Sequence, residues 1–156
     1  MSTYTFIGDF DSKADQKNRL VMPSAFKHEL EGGEEGVRLV VKKDIYEKCL
    51  LVYPRSVWEK VMTDLQGRID PYSRAHTRFL REYQRNTCEV GLDANGRFLV
   101  PQRLLELIGE GKDFVLLGVG EHIELWDKKT YESDAMSQEQ LEELTESIFS
   151  KEKDNG

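Results

Sequence analysis

Two arginines in this chain stand at matched places in matched surroundings. Asp15-Gln16-Lys17-Asn18-Arg19-Leu20-Val21-Met22-Pro23 and Asp93-Ala94-Asn95-Gly96-Arg97-Phe98-Leu99-Val100-Pro101 both read D-x-x-x-R, then three apolar residues, then proline. The chemistry such a stretch offers is recognition and not bond-making. A guanidinium is a planar fork of donors that matches phosphate oxygens or the edge of a guanine. A carboxylate four residues earlier can hold that fork in place. The same Asp–Arg pair also serves as a plain staple across its own turn. The sequence leaves both roles open for Asp15, Asp93, Arg19 and Arg97. Lys17, inside the first motif, is a candidate phosphate contact by proximity alone.

Other chemistry is poorly provided for. His28, His76 and His122 show no metal-ligand spacing, and Cys49 and Cys88 form no C-x-x-C pair. No nucleophile elbow, Walker loop or dinucleotide fingerprint is present, and Gly118-Val119-Gly120 reads as a hairpin turn. The expectation is therefore a protein that is not an enzyme, with no catalytic residue, metal, cofactor or small-molecule substrate. The cysteines, Trp58 and Trp126 read as core residues.

The motifs belong to a longer repeat. They are offset by 78 positions. Downstream, Leu51-Val52-Tyr53-Pro54 followed by Trp58 parallels Glu124-Leu125-Trp126-Asp127 followed by Tyr131, with the offset reduced to 73. Copy one thus carries roughly five extra residues, expected in the loop around 43–48. Each copy predicts the same local course. A strand (5–10, 87–92) leads into the motif. Asn18 and Gly96, the residue types that best tolerate positive φ, make a tight turn. A short apolar strand follows (20–22, 98–100). Pro23 and Pro101 take the first position of a helix, with Phe26 and Leu30, or Leu104 and Ile108, at helical spacing. A hairpin completes the unit (37–41 with 49–53; 114–119 with 122–126), the second turned at Gly120-Glu121.

Helices fill the remainder. Residues 56–65 place Val57, Trp58, Val61, Met62 and Leu65 on one face, with Gly67 as the stop. Residues 71–85 carry Arg74, Arg78, Arg81 and Arg85 on one face, with Phe79, Leu80 and Tyr83 expected to pack inward. That arginine stripe reads first as a solvated or subunit-contact face. Ser137-Gln138-Glu139-Gln140 predicts a capping box opening a helix striped by Leu141, Leu144 and Ile148. Residues 151–156 are expected to be disordered.

Charge narrows the class. The net charge of −7 excludes a simple basic DNA-coating protein. Residues 131–156 hold eight acids and two bases, which leaves the first 130 near neutral and free to carry a nucleic-acid surface. The apolar runs are too short for a membrane span, and the first four residues lack the features of a secretory leader.

The paired motifs, with Tyr53-Pro54-x-x-x-Trp58 and the arginine-rich linker helix, resemble the MraZ family. The likeness covers about residues 4–131. Copy one has Asn18 where that family more usually has Gly, a residue able to take the same turn. The resemblance implies an α+β, β-rich double-split β-barrel of the AbrB-like, swapped-hairpin kind, made from two tandem repeats with flanking helices. It implies repeat 1 at 1–66, a linker helix at 67–86, repeat 2 at 87–131 and an acidic tail at 132–156. It also implies a cytoplasmic, nucleoid-associated transcription regulator. As a closed homo-oligomeric ring, this regulator would bind short direct repeats in double-stranded DNA upstream of its own cell-division and cell-wall operon. Arg19, Arg97, Lys17, Asp15 and Asp93 are the DNA-binding candidates. The rival is an oligomeric protein-interaction scaffold, or an antitoxin-like regulator built on the same barrel.

Overall fold

A computed structural model describes residues 4–31 and 36–151 of the chain. Fourteen elements are described. In the first half they are β1 (Asp9–Lys13), β2 (Arg19–Val21), α1 (Ser24–Glu31), β3 (Arg38–Lys43), β4 (Leu50–Pro54) and α2 (Arg55–Arg68). After α3 (Arg74–Gln84), the second half runs β5 (Thr87–Gly91), β6 (Arg97–Leu99), α4 (Gln102–Leu105), β7 (Asp113–Val119), β8 (His122–Asp127) and α5 (Lys128–Ser133). Helix α6 (Gln138–Ser150) ends the described chain. The order strand–strand–helix–hairpin–helix occurs twice, as the repeat predicts.

How the copies meet is the main architectural fact. Six strands form one antiparallel sheet in the order β1-β7-β8-β4-β3-β5. Each copy's leading strand therefore leaves its own hairpin and pairs with the other copy's. Lys13 lies opposite Asp113, and Gly91 opposite Arg38, at corresponding ends of the two exchanges. The hairpins meet at the centre, where Leu50 pairs with Leu125. The six strands do not close: β1 and β5 remain the sheet's edges. The short strands β2 and β6 form a separate two-stranded ladder. This is a mixed α+β architecture, with every described strand pair antiparallel.

Both copies fill one core. Leu20, Met22, Phe26, Leu30, Leu39 and Val41 pack in the same cluster as Phe98, Val100, Leu104, Ile108, Phe114 and Leu116. Neither half has enough apolar residues for a core of its own, and the strand exchange makes sharing obligatory. A satellite cluster of Val40, Tyr53 and Val57, with Trp58 against it, seats α2 on the sheet. Cys49 is fully buried, and burial pushes its thiol up to about 12.

Several boundaries differ from the sequence reading, each for a local reason. The first strand begins at Asp9 and not at residue 5. Gly8, at φ 99°, bends the chain, so that Phe6 makes only an isolated bridge to Gly120. Gly118 lies within β7 and not in the turn. A Cβ there would collide with the Phe6 carbonyl, so glycine is what lets the N-terminal segment lie against the strand. Pro23 and Pro101 fall one residue outside their helices. The Pro23 carbonyl accepts from Lys27 N, and Pro101 is the N-cap at φ −55°, ψ 139°. Gly67 does not stop α2, which continues through Arg68.

Phe79 does not pack inward; it is 43% exposed, while Tyr83 stacks on Trp58 with ring centroids 6.2 Å apart. Only two of the roughly five extra residues of copy one fall in the hairpin, where all were expected: Arg38–Pro54 is two residues longer than its counterpart Asp113–Asp127, and the other three precede Arg38. The β3–β4 loop spans residues 44–49, against Gly120-Glu121 alone in the second hairpin, and Lys43 Nζ donates to the loop carbonyls of Asp44 and Glu47, both at 2.7 Å. The capping box at Ser137 and Gln140 is present. Lys151 is the C-cap of α6, and the disorder expected for 152–156 lies outside the described residues.

Candidate nucleic-acid interface

The two D-x-x-x-R turns are built alike. Asn18 at φ 61° and Gly96 at φ 73° reverse the chain just before each arginine. The Asp15 N–H donates to the Arg19 carbonyl at 3.0 Å, and the Asp93 N–H to the Arg97 carbonyl at 2.8 Å. Each aspartate then works from both of its oxygens. Asp15 Oδ1 accepts from the backbone N–H groups of Lys17 and Arg19, both at 2.9 Å, while Oδ2 accepts from Arg19 Nε at 2.8 Å. Asp93 Oδ1 accepts from Asn95 N at 2.8 Å and Arg97 N at 2.9 Å, and Oδ2 from Arg97 Nε at 3.3 Å. The backbone N–H of the arginine, ahead of every other favourable contact, holds each carboxyl below the ordinary aspartate value.

How the turns stand relative to each other is a product of the fold. Strands β2 and β6 pair antiparallel with Arg19 opposite Leu99, Leu20 opposite Phe98 and Val21 opposite Arg97. Leu20 and Phe98 are 0% and 1% exposed. Alternation along a strand therefore sends Arg19, Val21, Arg97 and Leu99 to the opposite, outer face. Backbone bonds from Met22 N to the Gly96 carbonyl and from Val100 N to the Asn18 carbonyl close the ladder at both ends. Arg19 and Arg97 thus share one small face, and Arg97 Nη1 lies 4.0 Å from Asp15 Oδ2 of the other copy. The arginine side chains are 30% and 29% exposed.

Of the sequence candidates, Asp15, Arg19, Asp93 and Arg97 are brought together. Lys17 is exposed beside Asp15 and makes no ion pair among the described residues. Sequence reasoning missed Lys112, whose Nζ donates to Asn18 Oδ1 at 3.1 Å across 94 residues of chain. No local signal marks it; only the strand exchange brings it near. Val21 and Leu99 read simply as strand apolar residues, yet both are exposed.

Arg74, Arg78 and Arg81 are exposed along α3 and line an open groove of about 590 Å³ with Tyr72, apart from the Asp–Arg turns. Arg85 is held by Glu82 at 2.9 Å. Lys42 is the other surprise. It is buried, donates to the Tyr83 carbonyl at the end of α3 and stands 4.2 Å over the Tyr83 ring, which ties that helix to β3. Burial, the dominant influence, lowers the Lys42 pKa.

Fold and face together define a class: a duplicated, strand-exchanged α+β chain presenting paired Asp–Arg turns on one ladder. Comparison with known proteins agrees. The model of the family described as "MraZ protein, putative antitoxin-like" matches residues 5–79 and 84–152. The chain is 32% identical over 147 residues to the transcriptional regulator MraZ of Bacteroides thetaiotaomicron, covering 94% of each chain. It is 31% identical to that of Bacteroides fragilis, covering 95% of this chain and 93% of the relative. With that of Desulforamulus reducens it shares 33% identity, covering 92% and 96%. This chain belongs to the MraZ family. The match through residue 152 also corrects the expectation that the likeness ends near Tyr131: α6 is part of what the family shares.

Proposed function

We propose that this chain is a sequence-specific, DNA-binding transcription regulator. In this reading it acts in the cytoplasm, associated with the nucleoid, as a closed homo-oligomeric ring. It binds short direct repeats in the double-stranded DNA upstream of its own cell-division and cell-wall operon. The observation that carries the reading is the convergence of both Asp–Arg turns on one exposed ladder face. Arg19 and Arg97 meet base edges or phosphates, Lys17 adds a phosphate contact, and Asp15 and Asp93 position the guanidiniums. Relatives covering nearly the whole chain bear the name of a transcriptional regulator, which supports the same class.

A near-neutral body with two arginines binds DNA weakly on its own. A ring sets several such faces along one duplex, so the later contacts become intramolecular and avidity builds. In this reading the open sheet and the β2–β6 ladder are the two parts of a double-split barrel. The repeats at 1–66 and 87–131, the linker helix at 67–86 and the tail at 132–156 are its units. Gel-shift titration of the purified protein on the DNA upstream of its gene tests it, with a scrambled duplex as control. Preferential retardation of the native duplex is expected; equal retardation of both would remove sequence specificity from the account.

A second reading has one observation in its favour. Leu141, Leu144 and Ile148 of α6 are 51%, 46% and 65% exposed, and no residue of that helix is buried. An acidic helix with a free apolar stripe suits a protein partner, as in an interaction scaffold or an antitoxin-like regulator.

A further inference from the structure

Two aliphatic side chains stand beside the two arginines on the outer face of the β2–β6 ladder. Val21 is 56% exposed and Leu99 49%. The register crosses the copies: Arg19 is opposite Leu99, and Arg97 is opposite Val21. Each arginine therefore has, as its cross-strand neighbour, an aliphatic residue from the other repeat, about 5 Å away between Cα atoms. A single exposed aliphatic residue is ordinary on a protein surface. Here the two occupy corresponding positions of a duplicated unit, each paired with the arginine of its counterpart.

The face combines two kinds of group, and a ligand has to account for both. Phosphates, being hydrated anions, suit the arginines and gain nothing from a valine or a leucine. The major groove of B-DNA is wide enough for a two-stranded ribbon. It offers guanine acceptor edges and one apolar group, the thymine C5-methyl. The ladder is such a ribbon, three residues per strand and closed at both ends by backbone bonds to the opposite turn. We infer that Val21 and Leu99 are specificity-determining residues that contact thymine methyl groups next to the bases reached by Arg19 and Arg97. The inference rests on the DNA reading above and adds to it a preference for thymine over any base lacking that methyl.

The probe is a duplex that the full-length wild-type protein selects from a random-sequence pool, prepared once with thymine and once with every thymine replaced by uracil. Wild type should bind the uracil duplex more weakly, by about four-fold for each methyl group that a side chain covers. The variants Val21→Ser and Leu99→Ser should each weaken binding to the thymine duplex by a similar factor. The double variant should bind the two duplexes equally, with its oligomer mass unchanged by light scattering. Equal binding of both duplexes by wild type overturns the inference, as does a double variant that still prefers thymine. A double variant of altered mass overturns it too and assigns this face to contacts between copies. If wild type selects no duplex at all, the DNA reading itself fails, and the inference falls with it.

Discussion

Asp15 and Arg97 lie in different repeats, 82 positions apart in the sequence, yet Asp15 Oδ2 is 4.0 Å from Arg97 Nη1. The same oxygen accepts from Arg19 Nε at 2.8 Å. One carboxylate therefore faces both candidate DNA-reading arginines, while Asp93, among the described residues, pairs with Arg97 alone. Loss of Asp15 should be felt by both turns. Asp15→Asn keeps an acceptor for the N–H groups of Lys17 and Arg19 but loses the charge that holds the guanidiniums. Its fold should remain intact and its DNA affinity should change. Asp15→Ala also releases the backbone turn and should melt at a lower temperature than Asp15→Asn. Thermal melts of the three proteins side by side check the order.

The aspartates give the turns a directed response to pH. Both carboxyls titrate below the ordinary value of 3.8 because they accept hydrogen bonds in the folded state. A depressed folded pKa means that the stabilisation is fully present above the unfolded value and is lost as pH falls through the folded one. The melting difference between wild type and the double variant Asp15→Asn, Asp93→Asn should therefore stay constant from neutral pH to about 5. It should shrink below about 4. A difference that already fades between pH 7 and 5 would point to other titrating groups.

Phe98 is the pivot of the ladder: 1% exposed, in the shared core and opposite Leu20. Phe98→Ala should cost about 3–5 kcal/mol, the usual range for emptying a packed phenylalanine site. Because the core is common to both copies, the loss should appear in one cooperative chemical-denaturation transition. Two separate transitions would show that the halves have independent cores.

Helix α6 contributes nothing buried to the folded chain. Truncation after Met136 should leave the stability measured by chemical denaturation within about 0.5 kcal/mol of wild type, as for surface changes. DNA binding and oligomer mass should also be retained. Loss of the oligomer on light scattering would place α6 in the contacts between copies.

Much of this architecture is legible in the sequence because it depends on local chemistry. Asn18 and Gly96 mark the turns because few other residues enter positive φ without strain. The hairpins and the capping box at Ser137 follow from alternation and spacing. What is not legible depends on partners distant in sequence. No periodicity shows β1 choosing β7, or β5 choosing β3, because strand pairing is decided by the assembled core. The placing of both arginines on one face follows from that exchange, as does the approach of Lys112 to Asn18. In sequence Lys42 is one of several scattered cations, and its burial against Tyr83 depends on where α3 lands. Phe79 reads as an inward residue from its helical face, but Trp58 packs against Tyr83 and leaves Phe79 partly in solvent.

The central claim is that Arg19 acts on DNA and not on assembly. Its most direct test measures DNA affinity and oligomer mass for Arg19→Ala on one preparation, beside wild type and Arg97→Ala. Removing one arginine from a base edge costs about 1–3 kcal/mol, and the proposed ring would lose one at every engaged subunit, so specific affinity should fall by several orders of magnitude. The mass should not change. Because both arginines share the ladder face, Arg97→Ala should show a loss of the same kind. Wild-type affinity with an intact oligomer would make Arg19 a structural staple, and a broken oligomer would move it to the subunit interface; either result contradicts the account.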